Sequence, residues 1–320
     1  MTKLRPASGL DQQWQQEFLI IAGVPKAGTT SLFDYLASHP QICPCRSKEP
    51  GFFLPADAPF FSKVRAARGD SFQSYQALFD APGERVCMDG SVVYLHSPGS
   101  AEGIHTALPR ARICVVLREP IARLKSFYQM GRFKRDFPPE MSLADFVDEQ
   151  LRMAADPQAS ERPWGLVHST YSACLAHYFN VFGRDRVHLV WFDELRENPE
   201  QVLRALCGFC GIDDGFFKDF KPYVLNESRD LRSAGLIRGY DGLLRLARAM
   251  ASRLPVGREG LRRAYRRLNP WVKRTVLTRP AEHATLDAGR VAALQNYFAA
   301  DTAELERLLG RRPPWAKPTA

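Results

Sequence analysis

The chain has 320 residues, of which 45% are hydrophobic and 25% charged, and a net charge of +9, which is typical of a soluble globular protein with one large α/β domain or two small ones. No run of 18 apolar residues occurs and the N-terminal segment has no apolar stretch, so we expect neither a transmembrane helix nor a signal peptide. The seven cysteines have no metal-ligand spacing, so we expect reduced thiols in a cytoplasmic protein.

The positive charge is concentrated in one segment. Residues 229–279 contain fourteen Lys and Arg against three Asp and Glu, a net of +11, and the rest of the chain is therefore slightly acidic. The basic character belongs to this segment and says little about the main domain. A local basic stretch favours an anionic partner or surface.

Buried strands alternate with helical patterns along most of the chain. The continuous apolar run Phe18–Gly23 predicts a buried parallel strand, and Arg85–Asp89, Ala111–Leu117 and Arg186–Trp191 predict three more. This alternation implies a parallel sheet with right-handed crossovers. Helical patterns occupy Thr30–Ser38, Ile121–Met130, Ser142–Met153, Thr170–Phe182, Pro199–Gly211 and Leu286–Leu309.

The loop between the first strand and the first helix has the features of an anion site. Its glycines allow backbone N–H groups to approach an anion, and the helix N-terminus adds its dipole. A Walker A loop has its lysine directly after the second glycine. Here Thr29 follows Gly28, and Lys26 precedes that glycine by two residues. This placement argues against a nucleoside triphosphatase.

A second basic motif follows the strand Ala111–Leu117. That strand ends in Arg118-Glu119-Pro120, and the next helix carries Ser126. An arginine can meet a phosphate with a forked, charge-assisted contact, to which Ser126 would add a hydroxyl donor. An Arg–Glu surface pair at the end of the strand is the alternative interpretation of Arg118.

These motifs together resemble a known family. The string Pro25-Lys26-Ala27-Gly28-Thr29-Thr30-Ser31-Leu32 resembles the 5′-phosphosulfate loop of sulfotransferases that use 3′-phosphoadenosine 5′-phosphosulfate (PAPS). The R-x-P–x5–S arrangement resembles their 3′-phosphate motif, and residues 164–195 and 297–315 resemble later parts of bacterial members. The chain is nearer the carbohydrate (heparan-type) branch. The cofactor-binding residues that the resemblance implies are Pro25, Lys26, Ala27, Gly28, Thr29, Thr30, Ser31, Arg118, Ser126, Tyr171, Ser228, Arg229 and Arg232.

The resemblance implies a fold and a reaction. The fold is α/β, with a P-loop-like central parallel sheet flanked by helices and a helical, basic C-terminal region. In the reaction, a hydroxyl or an amine of an acceptor attacks the sulfur of PAPS in line and 3′,5′-ADP leaves, with positioning and charge stabilisation as the main catalytic effects. Lys26 would stabilise the leaving phosphate. A sulfuryl group carries less charge than a phosphoryl group, so no metal is expected.

Two residues are candidates for the base that takes the acceptor's proton. Glu49 lies in Lys48-Glu49-Pro50-Gly51-Phe52-Phe53, which resembles the heparan-type stretch that holds the catalytic glutamate, and burial would suit a carboxylate to this role. A surface ion pair with Lys48 is its alternative. His96 lies before Arg118 at a distance similar to that of the catalytic histidine of aryl-type members. In 89–94 this chain departs from the heparan-type pattern, because Gly90 occupies the position of a catalytic lysine.

The expected organisation is a single sulfotransferase domain over 1–320, with a core at roughly 17–225 and a basic helical extension at roughly 226–320. In the extension, Leu236–Leu254 and Gly260–Leu268 read as basic amphipathic helices. Their leucine stripe could pack on the sheet, or 236–277 could contact a membrane surface or a polyanion. Nothing in the segment matches a nucleic-acid-binding module.

Three classes of function remain open at this point. The first is a PAPS-dependent sulfotransferase, whose expected partner is a glycan or small-molecule acceptor, plausible in particular as a carbohydrate or glycoconjugate. The second is a P-loop kinase or NTPase, which would need the lysine that Thr29 replaces. The third is a non-catalytic protein that binds polyanions or membrane surfaces, and it leaves the set Lys26, Arg118 and Ser126 unexplained.

Overall fold

The structure of the protein is a computed structural model. It describes residues 16–55, 71–80, 83, 85–138, 140–222, 229–231, 278–280 and 285–316. The predicted helices Leu236–Leu254 and Gly260–Leu268 lie outside these residues, as do Ser228 and Arg232.

A five-stranded parallel sheet forms the centre of the fold. Its strands stand in the order β2-β3-β1-β4-β5, and every neighbouring pair is parallel. The predicted α/β fold with a central parallel sheet is therefore confirmed. The strands are β1 (Phe18–Gly23), β2 (Ile42–Pro44), β3 (Val86–Asp89), β4 (Arg112–Leu117) and β5 (Val187–Trp191).

The strand β1 is the middle of the sheet and of the core. All six of its residues are buried, because helices cover both faces of the sheet and leave no solvated side. The chain leaves β1 for β2 on one side and later places β4 on the other side. The carboxyl end of β1 is thus the topological switch point, where ligands of open parallel sheets bind.

Local sequence signals explain where several helices begin and end. Pro120 occupies the first turn of its helix, and the Glu119 carboxylate accepts the N–H of Ile121 at 2.9 Å. Ser142 and Asp145 form a capping box, and Gly211 ends its helix with φ 71°. The helices are α1 (Thr29–Ala37), α2 (Phe72–Gln76), α3 (Ser100–Ala107), α4 (Pro120–Lys134), α5 (Leu143–Ala155), α6 (Trp164–Val167), α7 (Ser172–Phe182), α8 (Phe192–Glu197), α9 (Pro199–Cys210) and α10 (Ala288–Leu309).

The predicted elements that fall within the described residues are present, with shifted ends. The predicted helix Ile121–Met130 extends to Lys134, and the predicted helix Leu286–Leu309 begins at Ala288. The sequence patterns do not predict β2, α2, α3, α6 or α8. These elements have three to eight residues, which is too short for a periodic pattern to stand out from the surrounding loops.

The C-terminal part of the described chain returns to the core. The helix α10 packs against α4, α5 and α7, and its Leu294, Phe298 and Leu305 are buried. Two short antiparallel strands, β6 (Arg229–Leu231) and β7 (Thr278–Pro280), pair with each other, and the backbone of β6 lies against α4. Among the described helices, none combines the length and the apolar character that a membrane span requires.

Candidate functional site

The loop 24–28 joins β1 to α1 at the switch point of the sheet. It is fixed to the neighbouring strand, because the Val24 N–H donates to the Val116 carbonyl at 2.9 Å. Gly28 has φ 81°, and a Cβ there would lie 3.1 Å from the Phe192 ring. Glycine tolerates a positive φ and has no Cβ that would press on the Phe192 ring. The predicted role of Gly28 in a tight loop that opens a helix therefore has a physical basis.

Lys26 has a left-handed backbone, which is rare for a lysine. Its φ is 73°, a conformation that costs about 1 kcal/mol or more in a residue with a Cβ. The Arg118 guanidinium holds this turn in place by donating to the Lys26 carbonyl at 2.9 Å. Strained residues that are held by their surroundings concentrate at functional sites, so the geometry marks Lys26 as a functional candidate.

Arg118 is brought to the loop by the end of β4. Its guanidinium carbon lies 4.3 Å from the centroid of the Phe192 ring, which supports the planar group from one side. Its own carbonyl accepts the Tyr171 hydroxyl at 2.8 Å. The structure therefore joins Lys26, Arg118 and Tyr171, which are far apart in sequence, through two hydrogen bonds.

The Lys26 ammonium is surrounded mainly by positive charge. Burial, followed in order by the charges of Arg118, Lys134 and Arg123, lowers the pKa of Lys26 from 10.5 to about 8, while Glu49 acts in the opposite direction. Burial also lowers the pKa of Arg118. Cations placed this close repel one another, so the site favours the binding of an anion that would offset their charge.

The remaining predicted cofactor residues of the loop and of α1 follow the carboxyl end of β1. Pro25 is half-buried, Ala27 and Thr29 are buried, and Thr30 and Ser31 are half-buried in the first turn of α1. Ser126 is 6% exposed on α4, the helix that follows Arg118. Tyr171 is buried beside the start of α7. Of the C-terminal candidates, Arg229 lies in β6, against α4, and Ser228 and Arg232 lie outside the described residues.

Arg123 belongs to this site, although the sequence analysis did not select it. Its side chain is fully buried, and its Nη1 donates to the Pro25 carbonyl at 3.3 Å. The same guanidinium donates to the Gly165 carbonyl and to the Ser169 hydroxyl, each at 2.6 Å. In the sequence, Arg123 lies one turn into the helix that begins at Pro120, close to Arg118 and Ser126. The helix has several other basic residues, and the sequence pattern does not show that Arg123 is the one that faces the site.

Glu49 lies in a loop that follows the edge of the sheet. The Gly90 N–H donates to the Lys48 carbonyl and the Gly51 N–H donates to the Ser91 hydroxyl, both at 2.9 Å, so the end of β3 positions this loop. The Glu49 carboxylate accepts the Lys48 ammonium at 2.7 Å, and its side chain is 49% exposed. The burial expected for a catalytic carboxylate is therefore absent, although Glu49 is close enough to act on Lys26.

The departure at Gly90 has a steric explanation. A Cβ at Gly90 would lie 2.8 Å from the Phe33 ring and 3.0 Å from the Lys48 carbonyl oxygen, so a lysine does not fit there. The adjacent Asp89 is fully buried and accepts hydrogen bonds from Ser91, Tyr75 and Tyr94. Burial raises the pKa of Asp89 to about 6, against the opposing effect of these bonds.

His96 lies near the end of β1, because the Leu95 N–H donates to the Ala22 carbonyl at 2.9 Å. Its Nε2 donates to the Thr170 carbonyl at 2.8 Å, since a carbonyl can only accept. Burial lowers the pKa of His96 to about 4. The imidazole is therefore neutral at physiological pH, and its Nδ1 has no hydrogen-bond partner among the described residues.

Few groups in the site could hold a metal. Within the described ranges, no set of three or more His, Cys, Asp and Glu side chains is arranged to bind a metal ion. The charged side chains closest to Lys26 include Arg118, Arg123 and Lys134, which are donors that bind anions.

Known proteins resemble this chain in sequence. It is 27% identical over 195 residues to the bifunctional heparan sulfate N-deacetylase/N-sulfotransferase 1 of Caenorhabditis briggsae, which covers 59% of this chain and 22% of that protein. It is 21% identical over 278 residues to the membrane-associated sulfotransferase kil1 of Dictyostelium discoideum, which covers 63% and 58% respectively. The chain thus spans about a fifth of the heparan relative and just over half of kil1.

The fold and a family model lead to one conclusion. A sulfotransferase from Alicyclobacillus acidocaldarius matches with a TM-score of 0.60 and 25% identity, over 92% of this chain and 96% of that one. The model of the sulfotransferase domain matches residues 16–224, the range that contains Lys26, Arg118 and Ser126. The chain belongs to the sulfotransferase family.

Proposed function

We propose that the protein is a PAPS-dependent sulfotransferase that transfers a sulfuryl group to a hydroxyl or an amine of an acceptor, with release of 3′,5′-ADP. One observation carries the proposal. Lys26, Arg118 and Arg123 converge at the switch point of the sheet, where Arg118 donates to the Lys26 carbonyl at 2.9 Å and Arg123 donates to the Pro25 carbonyl at 3.3 Å. Burial first, and then the neighbouring cations, lower the pKa of Lys26 to about 8. A nucleotide with phosphates at both ends would offset this charge.

The loop and the end of β4 would hold the two phosphate groups of the nucleotide. Backbone N–H groups of the loop that contains Pro25, Ala27 and Gly28, and the hydroxyls of Thr29, Thr30 and Ser31, would bind the 5′-phosphosulfate. Arg118 and Ser126 would bind the 3′-phosphate, and Tyr171 would keep the Arg118 backbone in place through its bond to the carbonyl. Ser228, Arg229 and Arg232 would close over the nucleotide.

Lys26 would act on the leaving group. Its ammonium would stabilise the negative charge that develops on the 5′-phosphate as the bond to sulfur breaks. This role requires the protonated amine, which predominates below the Lys26 pKa of about 8. No metal has a role in this proposal.

For the base, Glu49 is preferred over His96. The proposal is supported by the electrostatic effect of Glu49 on Lys26 and by the 49% exposure of the Glu49 side chain, which leaves it accessible to an acceptor. The Nδ1 of the neutral His96 is buried and has no hydrogen-bond partner among the described residues, and burial makes the protonated form of His96 unfavourable. His96 is therefore better suited to position the acceptor hydroxyl than to remove the proton of that hydroxyl.

The acceptor is proposed to be a carbohydrate or glycoconjugate. The support is that several relatives are heparan sulfate N-deacetylase/N-sulfotransferases and that residues 48–53 resemble the heparan-type stretch. We further propose one sulfotransferase domain with a basic extension at roughly 226–320, of which 236–277 contacts a polyanion or a membrane surface. A cytoplasmic location remains a prediction.

Isothermal titration with 3′,5′-ADP tests the proposal. A parallel titration uses ATP, and neither titration contains added magnesium. Wild type should bind 3′,5′-ADP in preference to ATP. Arg118→Ala should weaken 3′,5′-ADP binding by about tenfold or more, because a charge-assisted contact is lost. Lys125→Ala, on the same helix as Ser126, is the control and should bind like wild type. Binding of ATP alone, or of neither nucleotide, would contradict the proposal.

A further inference from the structure

The guanidinium of Arg123 is fully buried without an acidic partner. Its side chain is 0% exposed, and its described hydrogen bonds go to the neutral oxygens of Ser169, Pro25 and Gly165. The Phe127 ring lies 5.3 Å from its guanidinium carbon. Within the described part of the chain, no Asp or Glu forms an ion pair with Arg123, so none of these residues neutralises its charge.

A buried charge without a counter-ion is unfavourable. Burial lowers the pKa of Arg123 to about 10, Tyr171 acts in the opposite direction, and the cationic Arg118 adds to the lowering. Burial also raises the pKa of the Tyr171 hydroxyl, so Tyr171 is neutral at physiological pH and supplies no negative charge. Arg123 in turn lowers the pKa of both Lys26 and His96. No carboxylate among the described residues offsets the charge of Arg123, and a bound anion would do so.

The hydrogen bonds of Arg123 connect the loop that contains Lys26 with the turn that leads to Tyr171. Its bond to the Pro25 carbonyl reaches the loop directly before Lys26. Its bonds to Gly165 and Ser169 fix the turn that leads to Tyr171, whose hydroxyl donates to the Arg118 carbonyl. Arg123 contacts the Pro25 side of the site itself, and it reaches Arg118 only through this intermediate turn.

We propose that Arg123 is a positioning residue that holds the Pro25–Gly28 loop in its anion-binding form, and that its uncompensated charge favours the 5′-phosphate end of the nucleotide. This inference rests on the proposed function, since it assumes that the loop binds a 5′-phosphate. It assigns to Arg123 no contact with the nucleotide. Loss of Arg123 should therefore affect ligands according to whether they carry a 5′-phosphate.

Three nucleotides separate this effect from a general loss of structure. They are 3′,5′-ADP, adenosine 5′-monophosphate, which lacks the 3′-phosphate, and adenosine 3′-monophosphate, which lacks the 5′-phosphate. Arg123→Met should weaken binding of the first two by about tenfold or more and leave the third within roughly twofold of wild type. Arg118→Ala should weaken binding of adenosine 3′-monophosphate as well, because Arg118 is assigned to the 3′-phosphate, and it also loses the hydrogen bond to the Lys26 carbonyl. Of these two variants, only Arg123→Met should spare the ligand that lacks a 5′-phosphate.

Two further variants complete the design. Arg123→Lys keeps the charge but loses the forked contacts, so it should restore part of the lost affinity for 3′,5′-ADP. Lys125→Met removes a charge from the same helix and should match wild type with all three ligands. If Arg123→Met does not fold, Arg123→Lys carries the test, with a smaller loss that is again confined to ligands with a 5′-phosphate.

The outcomes distinguish this inference from the proposed function. An equal loss for all three ligands, or no loss for any, would overturn the role of Arg123 and leave the proposed function intact. A wild type that binds no 3′,5′-ADP would overturn the proposed function and this inference with it.

Discussion

At the scale of the residue, the charge state of Lys26 governs the site. Its amine has a pKa of about 8, because burial and the neighbouring cations disfavour the protonated form. The protonated amine attracts an anion and the neutral amine does not. Binding of an anionic nucleotide is therefore coupled to protonation of Lys26, and affinity should be highest below the pKa.

The resulting prediction concerns the pH dependence of 3′,5′-ADP binding. The dissociation constant of wild type should rise by roughly eightfold between about pH 7.5 and about pH 9, as Lys26 loses its proton. Lys26→Arg keeps its charge over this range, so its dissociation constant should stay nearly constant. Isothermal titration at several pH values measures both proteins. A parallel rise in the two proteins would assign the titration to another group.

Glu49 and His96 give a second prediction at the same scale. If the Glu49 carboxylate takes the acceptor's proton, Glu49→Gln should lower kcat by roughly 100-fold or more, while 3′,5′-ADP binding stays within about threefold. His96→Asn should raise KM for the acceptor more than it lowers kcat, because His96 is assigned to positioning. Steady-state kinetics with PAPS and an acceptor found by screening provide both values. The reverse pattern would make His96 the base.

At the scale of the element, the C-terminal helix α10 supports the cofactor site. The Asp301 carboxylate accepts the N–H groups of Tyr171 at 2.9 Å and of Ser172 at 3.0 Å, and the Ser172 hydroxyl at 2.6 Å. A side chain of α10 thus caps the N-terminus of α7, where a negative charge also complements the helix dipole. The same contact fixes Tyr171, whose hydroxyl holds the Arg118 backbone.

Asp301→Asn should therefore affect both stability and binding. We expect the free energy of unfolding to fall by about 1–2 kcal/mol, since charge-assisted capping bonds are lost. The affinity for 3′,5′-ADP should fall as well. Asp287→Asn is a matched control, because Asp287 caps α10 itself, with Oδ1 accepting the Arg290 N–H at 2.9 Å. Denaturant unfolding and titration should show a stability loss in both variants and an affinity loss in Asp301→Asn only.

At the scale of the whole molecule, the distribution of charge affects how the nucleotide reaches its site. The chain has a net charge of +9, because residues 229–279 carry +11 and the rest of the chain carries −2. Within the described part of that segment, β6 lies against α4, the helix that carries Ser126 and Arg123. Positive potential near a binding site speeds the arrival of an anionic ligand.

Association should therefore depend on ionic strength. The association rate constant of 3′,5′-ADP should fall by roughly fivefold or more between about 0.02 M and about 0.3 M salt. A variant with Arg262, Arg263, Arg266 and Arg267 changed to Gln should show a weaker dependence on salt. Stopped-flow measurements on the two proteins compare the slopes. Equal slopes would show that this segment does not steer the nucleotide.

Several features of the protein follow from sequence alone. The apolar run of β1, the loop with Lys26 and Gly28, and the pair of Arg118 and Ser126 are local signals, because strand burial, glycine conformation and motif spacing are properties of short segments. They were sufficient to predict the parallel sheet and the family, and the structure and the comparisons confirm both.

Other features depend on residues that meet only in the folded chain. Arg123 is one of several basic residues of α4 in the sequence, and its burial depends on the packing of α4 against α6 and on the hydrogen bond to the Pro25 carbonyl in the loop after β1. The cap of α7 by Asp301, the support of Arg118 by Phe192 and the 49% exposure of Glu49 likewise depend on long-range contacts. Local patterns carry no information about such contacts, because they are set by how the helices pack around the sheet.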